Sequence, residues 1–244
     1  MIDADASRKQ TNAAGRSDAA TKPPIDLSAD RTRALSLTPV SRETAERLDR
    51  FVAVLLQWQR HTNLIAPSTE AHLWTRHVAD SLQLLALAPD AHIWVDLGSG
   101  GGFPGLAIAC AIADVPGAHV HLVESTVKKA TFLREAAGAA AAPVTVHNAR
   151  IENFVKNAPK TIDVVTARAL APLPALLPLV HPLLKSGVLG LFPKGQDVDA
   201  ELTVAAKCWK VNVGLVPSRT DPKARIVVVR GLERRLRPEH GDEF

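Results

Sequence analysis

The stretch VDLGSGGGFPGLAIA, residues 95–109, sets five glycines and a proline between two apolar runs. A turn this rich in glycine lets the backbone come close to a ligand that a Cβ would hold away. The run before it, HIWVD, reads as a strand, and LAIA after it reads as the first turn of a helix. Downstream, the short β-rich runs HVHLVE, VTVH, IDVVTA, VLGLF, KVNVGLV and RIVVV alternate with helical stretches such as TVKKATFLREAA. Strand and helix in that rhythm predict an α/β fold with a doubly wound, Rossmann-like parallel sheet. In such a sheet a ligand sits beyond the carboxyl ends of the strands, where the winding reverses, and the glycine stretch falls at the end of the first strand.

Upstream the periodicity is helical. Pro39 suits a helix start, and Leu48, Phe51, Val52, Leu55 and Trp58 then recur on one face. After HTNLIAPS, Ser68 or Thr69 is placed to cap a second helix carrying Leu73, Trp74, Val78, Leu82 and Leu85. The expected organisation is a disordered tail over 1–37, a helical extension over 38–90, a ligand-binding domain over 91–232 and a basic, polar tail over 233–244. Hydrophobic residues make up 46% of the 244, yet no run reaches the roughly 18 apolar residues of a membrane span. The first thirty residues have no signal-peptide core and carry five aspartates, unlike an acid-poor transit peptide. Cys110 and Cys208 form no CxxC or Cys/His cluster, so the sequence calls for neither disulfide nor metal and suits a reducing cytoplasm.

Charge is unevenly spread. From Lys207 to Arg237 there are nine Lys and Arg against Asp221 and Glu233, a net of +7 where the whole chain carries +4. A basic C-terminal segment is the footprint of a polyanion such as nucleic acid, the plainer reading being a solubilising face.

The glycine stretch has two registers. Gly100, Gly102 and Gly105 fit G-x-G-x-x-G, with Glu124 about where the ribose-binding acid of a dinucleotide site belongs. Asp96, Gly98, Gly100 and Gly102 instead fit D-x-G-x-G-x-G, which resembles the first motif of class I S-adenosylmethionine (SAM) methyltransferases. Alone, the stretch leaves both open. The ordered set LLQWQRHTNLIA, RHVADSLQLL, VDLGSGGGFPGLAIA, LVESTVKKATFLREAA, NARIENF, TARALAPLPALLPLVHPLLKSG and FPKGQ, from about Leu48 to about Gly231, resembles the RsmG/GidB family. Those enzymes are SAM-dependent methyltransferases that modify N7 of one guanine in bacterial 16S rRNA, which implies 16S rRNA or the small subunit as partner; a cytoplasmic monomer is expected.

The resemblance implies that Gly98, Gly100 and Gly102 underlie SAM, that Phe103 lies beside its methionine part, and that Glu124 accepts from its ribose hydroxyls. It places Asp96 with the SAM motif, Ile151 and Glu152 at the adenine, and Arg168 in the SAM pocket. Lys194 is expected to approach the RNA backbone. His77, in the matched segment with Asn63, Arg76, Asp80 and Ser81, is as well explained by a buried His–Asp bond between helices as by catalysis. Pro193 places the last ladder bond of its strand in doubt. Guanine N7 is already an unprotonated acceptor, so no catalytic base is required, and Arg168, Lys194 and His77 stand as positioning candidates only. A dinucleotide-dependent oxidoreductase and an RNA-binding protein with a degenerate SAM pocket are the competing readings. The first lacks a hydride-transfer constellation, the chain having no tyrosine, and the second is disfavoured by the intact glycines and acids.

Overall fold

The computed structural model describes residues 25–235; most of the expected N-terminal tail and the last nine residues of the chain lie outside them. Seven strands form one sheet in the order β3-β2-β1-β4-β5-β7-β6. β1 (Ile93–Leu97) pairs in parallel with β2 (His119–Val123) on one side and β4 (Val164–Thr166) on the other. β3 (Val144–His147) extends the sheet beyond β2, and β5 (Leu189–Lys194) extends it beyond β4, both in parallel. The chain therefore winds outward in both directions from β1 and β4, which opens a crevice above their carboxyl ends. β7 (Arg225–Arg234) runs antiparallel to β5, and β6 (Trp209–Pro217) runs antiparallel to β7 at the edge.

Alternation of side chains along the central strands divides the core into two layers. Trp94, Val120, Leu122, Val164 and Leu191 face α2 (Arg42–Gln59), α4 (Gly105–Ala111) and α5 (Val127–Ala140). Val95, Leu97, Val123, Val165 and Phe192 face α6 (Ile151–Lys156), α7 (Leu173–Leu184) and α8 (Val198–Ala205). The helical extension packs on the first layer through Leu48, Phe51, Val52 and Leu55, the stripe expected from the sequence.

Four details depart from the sequence reading. Within the expected tail, Ser28–Leu37 forms a helix, α1, held by polar ties. Asp30 Oδ2 accepts from the Trp74 and Thr75 amides at 2.7 and 3.2 Å, and Arg31 binds both oxygens of Asp49 at 2.7 Å. Such ties join residues 18 to 45 positions apart and leave no mark on periodicity. Helix α2 begins at Arg42, not at Pro39, because the Ser41 side chain accepts from Thr44 N at 3.1 Å. The second expected helix is broken: a 3₁₀ turn over Pro67–His72, a π turn over Trp74–Ala79, α3 (Asp80–Leu82) and a 3₁₀ turn over Gln83–Leu87. The irregular winding still buries Leu73, Trp74, Val78 and Leu82 while turning His77 and Asp80 to the crevice. Finally, the segment read as a tail from 233 begins inside β7, which continues to Arg234. Pro193 is tolerated because β5 has left β4 at Leu191, while its pairing with β7 runs on to Lys194.

If α1 is an integral part of the domain, Asp30→Ala strands three donors and should cost about 2 kcal/mol. Urea unfolding measures this; a loss below about 0.5 kcal/mol, the usual range for surface substitutions, would mean that α1 is dispensable.

Candidate active site

The glycine loop after β1 is shaped by different demands at each position. Gly98, Gly100 and Gly102 all have positive φ, at +72°, +49° and +86°. A Cβ on Gly98 would strike Leu170 at 2.8 Å, and one on Gly102 would strike the Phe51 ring at 2.8 Å. A Cβ on Gly105 would lie 2.6 Å from that of Asp96. Gly100 differs: a Cβ there meets nothing nearer than the Gly98 carbonyl at 3.7 Å. Its open side is the wall of a cavity of about 750 Å³, and a side chain would fill space left for a ligand.

Two carboxylates hold this loop. Asp96, fully buried, accepts from the Gly105 amide through Oδ2 at 3.1 Å, and its Oδ1 has no partner. Burial pushes its pKa up to about 6, against the pull of Ser99, the Gly105 amide and the Arg168 charge. Glu124, at the end of β2, accepts from the Gly100 amide at 3.1 Å and from the Thr126 amide at 2.7 Å. Asn148, after β3, donates to the Glu124 carbonyl at 3.0 Å, which brings the start of α6 with Ile151 and Glu152 beside the end of β2. Gly98 and Gly100 line the cavity, whereas Glu124, Ile151 and Glu152, which follow the next two strands, lie behind them and are not among its lining residues.

Across the crevice, Arg168 follows β4. Its guanidinium donates to His77 Nδ1 at 2.6 Å and to the Arg76 carbonyl at 3.0 Å, pairs with Asp80 Oδ2 at 3.4 Å, and lies 5.4 Å over the Phe103 ring. A guanidinium can only donate. His77 Nδ1 is therefore the acceptor, Nε2 carries the hydrogen, and that hydrogen goes to Thr69 Oγ1 at 2.8 Å. Burial and the nearby positive charges of Arg168 and Arg76 push the His77 pKa down to about 3. The imidazole also stacks on Phe103, ring centroids 5.1 Å apart. His77 is thus a neutral positioning group, but the expected His–Asp bond is not made: Arg168 stands between the two side chains and bonds each of them. Asp80 uses its other oxygen to accept from Thr220 Oγ1 at 2.7 Å, and Arg76 pairs with Asp221 at 2.6 Å, so the β6–β7 loop is latched to the same network. Ser81 donates to the His77 carbonyl at 2.6 Å. Asn63 is exposed, away from these bonds.

Lys194 is held by partners that the sequence did not show. It reaches the cavity wall, but its ammonium is committed to Glu201 at 3.0 Å and the Ala171 carbonyl at 2.5 Å, with the side chain only 12% exposed. It ties the end of β5 to the turn before α7 and to α8. Glu201, Thr69, Thr220 and Asp221 had no recognisable motif in the sequence; only folding brings them to the crevice.

The hairpin also divides the basic segment. Because Arg225 faces Lys194 and β7 then runs away from the strand ends, Arg219, Lys223 and Arg225 lie at the cavity side. Arg234, paired with Trp209, sits at the other end of the ten-residue strand, about 30 Å distant. The segment read as one polyanion footprint is two separate clusters.

These features fit SAM: an open cradle at Gly100, a strand-end carboxylate at Glu124, and an orphaned buried acceptor at Asp96 beneath the loop. Solved structures share the fold. An O-methyltransferase from Bacillus cereus in complex with SAH superposes with a TM-score of 0.55 at 14% identity, covering 84% of this chain and 98% of that one. A mutant of MtNAS in complex with SAM gives 0.53 at 17% identity, covering 84% and 77%. The fold and site define a class I SAM-dependent methyltransferase. The family model described as rRNA small subunit methyltransferase G matches residues 44–224, and a protein of that name from Bradyrhizobium sp. strain BTAi1 is 59% identical over 208 residues, 85% of this chain and 94% of the relative. Its namesake in Rhodopseudomonas palustris strain BisB18 is 56% identical over 211 residues, 86% of this chain and 90% of the relative. The chain belongs to the rRNA small subunit methyltransferase G family.

Two outcomes follow from the geometry. Gly100→Val should fold, at a cost of about 1–2 kcal/mol for a left-handed non-glycine residue, but show no SAM binding by calorimetry. Gly102→Val, driven into Phe51, should lose further stability from overpacking, and retained SAM affinity in Gly100→Val would remove that residue from the pocket. Because His77 binds its proton with a pKa of about 3 folded and about 6.5 unfolded, the unfolded chain holds more protons between those values. Stability contributed by neutral His77 is therefore full above pH 6.5 and lost as pH falls below it. His77→Gln should remove about 2 kcal/mol of the loss between pH 7 and pH 5; His121, pushed down to about 4, is shared by both proteins and cancels. Equal acid slopes would show that His77 is not buried neutral.

Proposed function

We propose that this enzyme, acting as a cytoplasmic monomer, methylates N7 of one guanine in 16S rRNA, on the free RNA or the small subunit. The observation that carries the reading is that the histidine and the carboxylates lining the cavity, together with Lys194, are committed to internal partners. His77 is held by Arg168 and Thr69, Asp80 by Arg168 and Thr220, Asp221 by Arg76, and Lys194 by Glu201. A site that had to deprotonate an amino group or a ring carbon would need a base in reach. Guanine N7 needs none, since its lone pair is free at neutral pH.

SAM supplies an electrophilic methyl group on a sulfonium. The chain's part is placement. The open face of Gly100 admits the ligand, and Glu124 stands where ribose hydroxyls can be accepted once its loop amides share it. Ile151 and Glu152, at the neighbouring strand end, suit the adenine. Phe103, clamped between Phe51 at 5.0 Å and His77, gives a rigid apolar wall at the reacting end. Arg168 and Phe103 fix each other, so the approach of the base is set by side chains that are themselves immobile. Holding two reactants in line in this way can supply several kcal/mol of rate acceleration without any proton transfer. Arg219, Lys223 and Arg225 give the RNA backbone a positive approach to the mouth. The relatives named rRNA small subunit methyltransferase G support the choice of RNA.

No helix among the described residues is long and apolar enough to cross a membrane, and those residues contain no group of three metal-binding side chains. The test is to map N7-methylguanine by borohydride–aniline cleavage in small-subunit RNA from cells with and without the protein. A single protein-dependent site is expected. Single-turnover methyl transfer with saturating SAM and RNA should vary little from about pH 6.5 to 8.5, lacking the limb of an essential base. A tenfold rise per pH unit that disappears in His77→Gln would replace alignment by base catalysis.

A further inference from the structure

A second cavity, of about 490 Å³, lies beyond the loop that walls the first. Gln57, Trp58, Arg60, His61, Thr62 and Lys128 line it. Residues 60–66 separate the two: Leu64 to Ala66 face the catalytic cavity, while Arg60 to Thr62 face this one. Lys128 and Lys129, neighbours in the first turn of α5, likewise divide between them. The loop is pinned at both ends. Lys128 donates to the His61 carbonyl at 2.8 Å, and the Leu64 carbonyl sits so near Gly101 that a Cβ there would come within 2.8 Å. The second cavity is therefore rigidly placed beside the glycine loop, on the same edge of the sheet.

Its chemistry is one-sided. The lining holds a guanidinium, an ammonium, an imidazole and an indole, and no carboxylate. Among the described residues, neither Arg60 nor Lys128 makes an ion pair, although most other close cationic contacts in the crevice are paired. The Trp58 ring meets Phe132 at a tilt of 59°, ring centroids 5.9 Å apart, and is partly exposed in the lining of the pocket. Val127, next to Lys128, is 67% exposed. An aromatic face flanked by unpaired cations is what single-stranded RNA recognition uses, a base stacking on the ring and its phosphate meeting the charges.

We propose that this pocket is a second nucleotide subsite, which takes an unpaired nucleotide of the substrate RNA close to the methylated guanine, its base on Trp58 and its phosphate between Arg60 and Lys128. The proposal rests on the RNA-methylating reading for the identity of the polymer. Its effect is register: the RNA is held at two points, across the 60–66 loop, so that one guanine enters the catalytic cavity.

The test is equilibrium binding of a 16S rRNA transcript across a salt series. Arg60→Gln with Lys128→Gln should weaken binding about tenfold at 100 mM salt and flatten the log–log salt slope by about 1, as expected for losing one or two phosphate contacts. Trp58→Leu, which keeps apolar contact with Phe132, should weaken binding at least fivefold with the slope unchanged. Arg234→Gln with Arg235→Gln removes the same charge at the far end of the hairpin and should change neither. SAM affinity should be unaltered in all three. Should Trp58→Leu not fold, ultraviolet cross-linking of the wild-type protein to the transcript decides, with the cross-linked peptide expected to contain Trp58. Unchanged RNA affinity in Trp58→Leu, a slope change matched by the Arg234/Arg235 control, or cross-links that all avoid Trp58 would overturn the subsite. Failure of guanine-N7 methylation with these binding signatures intact would overturn the functional reading alone.

Discussion

Arg168 is the group on which the crevice depends. Its donors engage His77 Nδ1, the Arg76 carbonyl and Asp80, while its plane lies over Phe103. A largely buried guanidinium cannot shed its proton, so its neighbours must supply acceptors and counter-charge. That requirement fixes the tautomer of His77, claims one oxygen of Asp80, and through the other oxygen ties in Thr220 of the β6–β7 loop. The residue after it, Ala169, is held at φ +52°, a left-handed conformation that costs a non-glycine residue about 1–2 kcal/mol. Strain at that point is tolerated because the surrounding bonds over-determine the position of the arginine.

The same economy appears in the glycine loop. Four glycines are demanded by contacts with the protein itself, since Leu170, the Leu64 carbonyl, Phe51 and Asp96 occupy the places where their Cβ atoms would go. Only Gly100 is left bare toward the cavity. The two acids beneath the loop divide similarly: Asp96 is buried as a brace for the start of α4, whereas Glu124 holds the amides of Gly100 and Thr126. One loop thus serves sheet–helix packing and ligand access at once, with the two duties assigned to different atoms.

Electrostatics is organised by distance from the strand ends. Near the crevice, charges are paired and bonded, which holds the walls still but leaves little free charge for a polymer. Free cations are displaced to the rim, at the start of β7 and around the 60–66 loop. Arg234 and Arg235, nine and ten positions beyond Arg225 in the same hairpin, are carried to the opposite end of the strand by the length of β7.

The sequence by itself determined the five parallel strands of the doubly wound sheet, though not that the last two strands turn back antiparallel, and it determined the amphipathic stripe of α2 and the strand-end positions of Asp96, Glu124 and Arg168. Those depend on local periodicity and on glycine placement, which are written into neighbouring residues. The family resemblance was legible for the same reason, being a series of short motifs in order. Tertiary structure alone decided that Ser28–Leu37 is a docked helix, that Lys194 is spent on Glu201, that His77 is a neutral acceptor for Arg168, and that the basic segment is split in two. Each of these turns on partners between about 7 and 145 positions apart in the chain. Burial then sets their protonation and their availability, and burial is a property of the packed sheet and its two helical layers, not of any stretch of sequence.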